Sequence, residues 1–217
     1  MFRRAQTFTD RCAAGRALGA QVAASRTHDP TTLVLGLARG GVPVAREVAV
    51  ALDAPLDVLV VRKLGAPGQP EFAMGAVAAG ETVINDDTPR RLGVTPAQLQ
   101  RIVDAENHIR AEREQRYRAG REPLSLRGRS VILVDDGVAT GATMAVAVRA
   151  ARAAGAAAVT VAVPTGPADT MARFRADPEI DEVACVAMPE PFRAVGQSYD
   201  DFRQVDDGEV IRCLASS

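Results

Sequence analysis

The sequence predicts an α/β fold: a twisted, mainly parallel sheet with helices on both faces. Three observations lead there. Short apolar runs recur at 32–37, 56–61, 131–134, 159–163 and 182–188, the pattern of strands buried on both faces. Helical stretches separate them, so strand, loop, helix and strand follow one another between Thr32 and Val61, a βαβ unit. The runs at 32–37 and 131–134 also lead into loops rich in small residues, as the carboxyl ends of ligand-binding parallel strands do.

Each element has its own reason. Residues 9–26 read as a helix whose inner stripe includes Leu18 and Val22, broken by His28-Asp29-Pro30. Thr32–Leu37 is a buried strand, Ala38-Arg39-Gly40-Gly41 a tight loop, Val42–Leu52 a helix and Leu56–Val61 a second strand. The stretch 63–75 holds Gly65, Pro67, Gly68, Pro70 and Gly75, so it is expected to be a long mobile loop serving as a lid. Ala76–Ala79 and Thr82–Ile84 then suggest a short antiparallel hairpin.

Thr95-Pro96-Ala97-Gln98 is a capping box with proline at the first helical position. Leu99, Ile102, Val103 and Ile109 form the inner stripe of that helix. Glu106/Arg110, Glu112/Arg116 and Glu114/Arg118 are (i, i+4) pairs on an outer face expected to be solvated. Val131–Val134 is a buried strand, Met144–Ala154 a small-residue helix and Val159–Val163 another strand. A helix over Asp169–Arg175 and a last strand over Glu182–Met188 complete the core. The tail from Pro189 carries Phe192, Val195, Tyr199 and Phe202 and is expected to cap one end of the sheet. No repeat or linker interrupts the chain, so one domain is expected over 1–217, with its core at about 30–190.

Composition narrows the function. Lys+Arg 26 against Asp+Glu 27 gives a net charge of -1, so no global basic field recruits nucleic acid. Aromatics are 4% and tryptophan is absent, which argues against a base-stacking RNA platform. Cys12, Cys185 and Cys213 are widely spaced and form no CxxC pair, as expected of reduced thiols in a cytoplasmic protein. His28 and His108 stand apart from each other and from the cysteines, so zinc-ligand spacing is missing. No apolar run approaches a membrane span, which points to a soluble protein. GxxxxGK[ST] does not occur, against a P-loop kinase or synthetase.

The strongest chemical signal is VILVDDGVATGATM, residues 131–144. Four apolar residues deliver the chain to a strand end, where Asp135 and Asp136 point to opposite sides. Ala139, Thr140, Gly141, Ala142 and Thr143 then open a helix, where free N–H groups and the helix dipole favour an anion. One segment thus offers a phosphate cradle and, just before it, acceptors for sugar hydroxyls. The other acidic pairs, Asp86-Asp87, Asp200-Asp201 and Asp206-Asp207, lack such a loop and read as solvated turns.

This segment resembles the phosphoribosyl-pyrophosphate (PRPP) binding motif of type I phosphoribosyltransferases: four hydrophobic residues, two acidic residues and a small-residue loop with Thr-Gly. The resemblance extends over roughly residues 30–190 and implies that fold, with a small C-terminal hood contributed by 189–217. It implies that Asp135 and Asp136 hold the ribose hydroxyls and that 139–143 cradle the 5′-phosphate. Ala38, Arg39, Gly40 and Gly41 correspond to a loop, often of unusual peptide conformation, that presents N–H groups to pyrophosphate. Arg62 and Lys63, the only lysine of the chain, correspond to basic residues beside the pyrophosphate, ahead of a loop that closes over the site.

Glu71 is either a general acid or base toward an incoming nitrogen or an exposed carboxylate. Mg²⁺ is implied as cofactor, touched by Asp135 and Asp136 mainly through water, and a homodimer is implied as the assembly. The position before Thr140 is Ala139, where hypoxanthine-guanine enzymes carry aspartate, so a 6-oxopurine handled in their manner is disfavoured. The tail matches no well-known base-specific enzyme, and the pattern is similar to a broad bacterial group whose acceptor is unassigned. The expected activity is phosphoribosyl transfer from PRPP to an unidentified nitrogenous acceptor. The alternative is a non-catalytic PRPP-sensing regulator on the same fold.

Overall fold

A computed structural model describes residues 7–84 and 88–215, with the backbone alone at residues 70–72. Five strands form a parallel sheet: β1 (Thr32–Leu37), β2 (Leu56–Leu59), β6 (Ser130–Val134), β7 (Ala158–Thr165) and β8 (Glu182–Ala187). Their order is β2-β1-β6-β7-β8. Each apolar run became a strand because both faces are covered, and alternate residues feed opposite cores. Leu33, Leu35, Val131, Leu133, Val159 and Val161 meet α5 (Ala142–Ala153) and α6 (Ala168–Ala176). Val34, Ile132, Val134 and Ala162 meet α1 (Arg11–Ser25), α2 (Gly41–Leu52) and α7 (Asp207–Ala215) on the other side. Gly36 lets α2 lie close: a Cβ there would stand 2.8 Å from the Val42 Cα.

The strand order places a topological switch between β1 and β6. From β1 the chain goes by α2 to β2 on one side, whereas β6 lies on the other side and leads outward to β7 and β8. The loops leaving β1 and β6 therefore stand side by side at the carboxyl end of the sheet, where ligands of such sheets bind.

A second sheet corrects the expected lid. β3 (Arg62–Ala66) and β4 (Gln69–Ala78) pair antiparallel, and β4 pairs with β5 (Glu81–Ile84). The stretch 63–75 is thus mostly strand, and the strand expected over 56–61 ends at Leu59 before the chain changes sheets. The glycines and prolines that argued for a loop are absorbed locally. Gly68 takes φ +73 in the tight turn, and register shifts at Leu64 to Ala66 accommodate Gly65. At Gly75 the Val83 carbonyl oxygen approaches to within 2.2 Å of where a Cβ would be. Leu64, Ala66 and Met74 are buried, and that burial holds the hairpin down.

Beyond a short α3 (Thr88–Arg91), α4 (Pro96–Arg118) carries the expected capping box, with reciprocal bonds between Thr95 and Gln98. Its outer charges are not uniformly solvated. Of the expected pairs only Glu114–Arg118 forms, at 3.0 Å, while Glu106 turns to Arg62 at 2.7 Å and Glu112 to His108 at 3.4 Å. Arg118 also donates from Nε to both carboxylate oxygens of Asp57, at 2.9 and 3.1 Å. Asp57 is 4% exposed and Glu114 7%, so α4 is fastened to the edge of the main sheet by a buried ion network.

The tail from Pro189 folds back over the carboxyl end of the sheet. A 3-10 turn (Val195–Ser198) leads to Tyr199, which packs against Phe8 at 5.7 Å and Phe202 at 4.9 Å. Cys185 is buried in β8 as a small core residue, and burial pushes its thiol up to about 11. No helix among the described residues is long and apolar enough to cross a membrane.

Candidate functional site

The two motifs singled out by sequence meet at the crevice between β1 and β6. After β1, the Ala38 amide continues the ladder to the Leu59 carbonyl at 3.0 Å, and the Ala38–Arg39 peptide is cis. The following glycines press against the acidic pair. A Cβ on Gly40 would lie 2.1 Å from Asp136 Oδ2, and one on Gly41 would lie 2.5 Å from the Val134 carbonyl oxygen. At Gly41 the obstacle is backbone, so glycine is required by contact rather than by turn geometry, whereas at Gly40 it is the Asp136 carboxylate.

Asp135 and Asp136 end β6 in different surroundings. The Asp136 amide donates to Asp135 Oδ1 at 2.9 Å. Burial, and then the neighbouring charge of Asp136, push the Asp135 carboxyl well above the usual carboxylate range. Burial also raises Asp136, against which the Arg11 guanidinium pulls down. Arg11, on the first turn of α1, bonds Asp136 Oδ2 from Nε at 2.8 Å and from Nη2 at 2.7 Å. The Tyr199 hydroxyl donates to the Asp136 main-chain carbonyl.

The loop from Gly137 to Thr143 is pinned from behind and open in front. The Val138 amide bonds the Thr165 carbonyl at 3.0 Å, and Thr170 Oγ1 donates to the Ala139 carbonyl at 2.9 Å. Arg173 donates to the Thr140 carbonyl at 3.1 Å. Gly141 has φ +77 and lies against the Phe174 ring, a position that excludes a side chain twice over. Ala139, Thr140 and Ala142 face solvent, and the first turn of α5 has no cap from its N-cap Gly141, only a long bond from the Ala142 amide to Thr140 Oγ1 at 3.5 Å. Backbone N–H groups and the positive end of a 12-residue helix are left for an anion.

The remaining predicted residues are placed differently. Arg62 gives its guanidinium to Glu106 of α4, at 2.8 and 2.7 Å, rather than to either loop. Lys63 is exposed at the start of β3. The backbone of Glu71 runs in β4, and its side chain lies outside the described residues. Arg39 turns toward Asp207 at 3.6 Å. Asp207 therefore does not sit in a solvated turn: it opens α7 and also accepts from the Tyr117 hydroxyl at 3.0 Å and Arg116 at 3.2 Å. The Tyr117 bond leads in holding the Asp207 carboxyl below its usual range. Asp200-Asp201 does lie in an exposed turn, and Asp86-Asp87 falls outside the described residues.

Sequence reasoning missed Arg11, Tyr199 and Arg203. Arg11 reaches Asp136 across 125 residues and meets the Arg203 carbonyl at 2.7 Å, pairings that no local spacing encodes. The one available clue was Asp10, which caps α1 through the Ala13 amide and so sets Arg11 on its first turn. A cavity of about 680 Å³ lies elsewhere, under α4 and the β4–β5 turn, and shares none of the predicted site residues.

Among the described residues no cluster of three or more His, Cys, Asp or Glu side chains forms. The acidic pair alone is an oxygen donor set. It suits a hard cation that keeps most of its waters and binds mainly through substrate phosphates, but not an all-protein cage.

Comparison with known proteins bears on the same region. The family model described as the phosphoribosyl transferase domain matches residues 12–186. A Mycobacterium tuberculosis protein whose name, phosphoribosyl transferase, is itself provisional is 48% identical over 208 residues, covering 95% of this chain and 46% of that protein. The chain thus spans about half the length of the curated relatives it matches. The crystal structure of TT1426 from Thermus thermophilus is 40% identical with a TM-score of 0.83, covering 97% of this chain and 99% of that one. A hypothetical protein from Neisseria gonorrhoeae, crystallised with ppGpp, shares 15% identity and a TM-score of 0.50, a likeness of fold alone.

Proposed function

Because the chain belongs to the phosphoribosyl transferase domain family, we propose that it transfers the 5-phosphoribosyl group from PRPP to a nitrogenous acceptor, releasing pyrophosphate. The observation that carries this reading is the contact between two loops that leave different strands. The Gly40-Gly41 backbone lies directly on Asp135 and Asp136, with the open first turn of α5 just beyond. A sugar with phosphate groups at two of its positions matches that order: anion cradle, hydroxyl acceptors, second anion loop.

In this reading Asp135 and Asp136 accept hydrogen bonds from the ribose 2′- and 3′-hydroxyls. The amides and hydroxyls of 139–143 hold the 5′-phosphate. Ala38, Arg39, Gly40 and Gly41 offer backbone N–H groups to the pyrophosphate. Arg62 and Lys63 supply positive charge as pyrophosphate departs, Arg62 after exchanging Glu106 for the ligand. Mg²⁺, held through water by Asp135 and Asp136, would add charge neutralisation on the pyrophosphate. The chain itself then works by fixing the sugar in place and meeting developing charge, more than by one acid or base. Glu71 is the candidate for a proton-transfer step. The hairpin β3–β4 takes the place of the expected lid, and residues 189–217 serve as the hood.

Acceptor-dependent release of pyrophosphate tests this. Purified protein incubated with PRPP, Mg²⁺ and single purines, pyrimidines or simple amines is expected to release pyrophosphate with one acceptor class. Binding of PRPP with no release for any class would instead assign a PRPP-sensing regulator.

A further inference from the structure

We propose that Arg11 is a positioning residue for the sugar: it fixes the Asp136 carboxylate in the orientation that the ribose hydroxyls require. The inference rests on the PRPP reading above and adds a residue to it.

The guanidinium is committed on three sides. Nε and Nη2 both bond Asp136 Oδ2, and Nη1 bonds the Arg203 carbonyl at 2.7 Å. Its central carbon lies 4.2 Å from the centre of the Phe202 ring. The side chain is 11% exposed, so it is held rather than dangling. Asp136 is gripped in turn. Oδ2 faces Arg11 on one side and Gly40 on the other, where even a Cβ would collide.

That leaves Oδ1 as the oxygen offered to a ligand. The main chain of Asp136 is fixed by the same cluster, through the Tyr199 hydroxyl. A planar fork suits this task because two donors converging on one oxygen set its direction as well as its charge. The link also runs from Asp136 through Arg11 to Phe202 and Arg203, so the tail that closes the site is tied to the carboxylate that would hold the sugar.

The test separates positioning from scaffolding by the ligand used. Arg11→Met and Arg11→Lys are titrated with PRPP and with inorganic pyrophosphate, and their melting temperatures are recorded. Arg11→Met is expected to weaken PRPP binding about ten- to hundredfold. Arg11→Lys, which keeps charge but not the fork, recovers part of it. Pyrophosphate carries no ribose, so its affinity stays unchanged in both. Unchanged PRPP affinity, or equal losses for both ligands, overturns the proposal. Should Arg11→Met fail to fold, the ratio of PRPP loss to pyrophosphate loss in Arg11→Lys decides in the same way. Wild-type protein that binds pyrophosphate but not PRPP overturns the functional reading, and this inference with it.

Discussion

Asp135→Asn together with Asp136→Asn is expected to abolish PRPP binding while leaving the chain folded. Each exchange keeps the side-chain volume and removes a charged acceptor. Two charge-assisted hydrogen bonds to ribose are worth about 3–6 kcal/mol together, roughly a hundred- to ten-thousandfold in affinity. The fold tolerates the change for a different reason at each position. Asp135 is half-buried beside another carboxylate, and desolvation, then that neighbour's charge, raise its carboxyl well above the usual range. A raised native value means that the native state binds this proton more tightly than the unfolded chain. Its contribution to stability is thus full below the ordinary carboxylate pKa and is lost as pH rises through the native value.

Asparagine at 135 has no such dependence, so Asp135→Asn is expected to gain in melting temperature relative to wild type between acid and neutral pH. Asparagine at 136 leaves Arg11 without its anion. Arg11, only 11% exposed, keeps the Arg203 carbonyl and the Phe202 ring, which offset part of the roughly 3–5 kcal/mol that breaking a buried pair costs. Calorimetric titration with PRPP and thermal melts check both halves. Retained PRPP affinity in the double variant contradicts the sugar site, and loss of the folded state contradicts the account of Asp135.

Arg118→Met is expected to be the most destabilising single change outside the site, about 3–5 kcal/mol, or roughly 6–20 °C in melting temperature. It strands one buried carboxylate, Asp57 at 4% exposure, and leaves a second, Glu114 at 7%, with Arg110 alone at 2.9 Å. Asp57 would keep the Leu124 amide at 3.1 Å and the Val58 amide at 2.7 Å but lose both bonds from Arg118. Removing Asp57, Arg110, Glu114 and Arg118 together in favour of apolar residues should recover much of the loss, because a complete buried ion network contributes little net stability. Glu112→Ala serves as the contrast: its partner His108 is well exposed, and the change should cost under about 0.5 kcal/mol. A loss below about 1 kcal/mol for Arg118→Met would mean that the network is not what fastens α4 to the sheet.

The two outcomes reflect what a sequence can carry. Every strand of the parallel sheet was legible because a strand covered on both faces must be apolar at nearly every position, as Val131 to Val134 is. The segment from Asp135 to Thr143 was legible because its carboxylates, glycine and helix start are contiguous. Glycine at 40 and 41 was visible, but its reason was not, since it lies in contacts with Asp136 and Val134 in another strand.

The hairpin at 62–78 was hidden by its own breakers. Counting glycine and proline between 63 and 75 overlooks that Leu64, Ala66 and Met74 have something to bury against, namely Val94 and the inner stripe of α4. The charges of α4 misled in the same way. An (i, i+4) rule describes an isolated helix: Glu114 and Arg118 pair as it expects, but Arg118 also answers to Asp57 and Glu106 answers to Arg62, both far away in the chain. Arg11 belongs to this class too: its value depends on the fold bringing the first turn of α1 to the end of β6.

The central claim is that the crevice between β1 and β6 takes PRPP. Calorimetric titration of the purified chain with PRPP, with and without Mg²⁺, tests it most directly. The account predicts saturable binding that Mg²⁺ strengthens, because two carboxylates, one already held by Arg11, meet a polyanion best when its charge is partly neutralised. Absence of binding at millimolar PRPP under both conditions would contradict it, leaving the architecture without the proposed site.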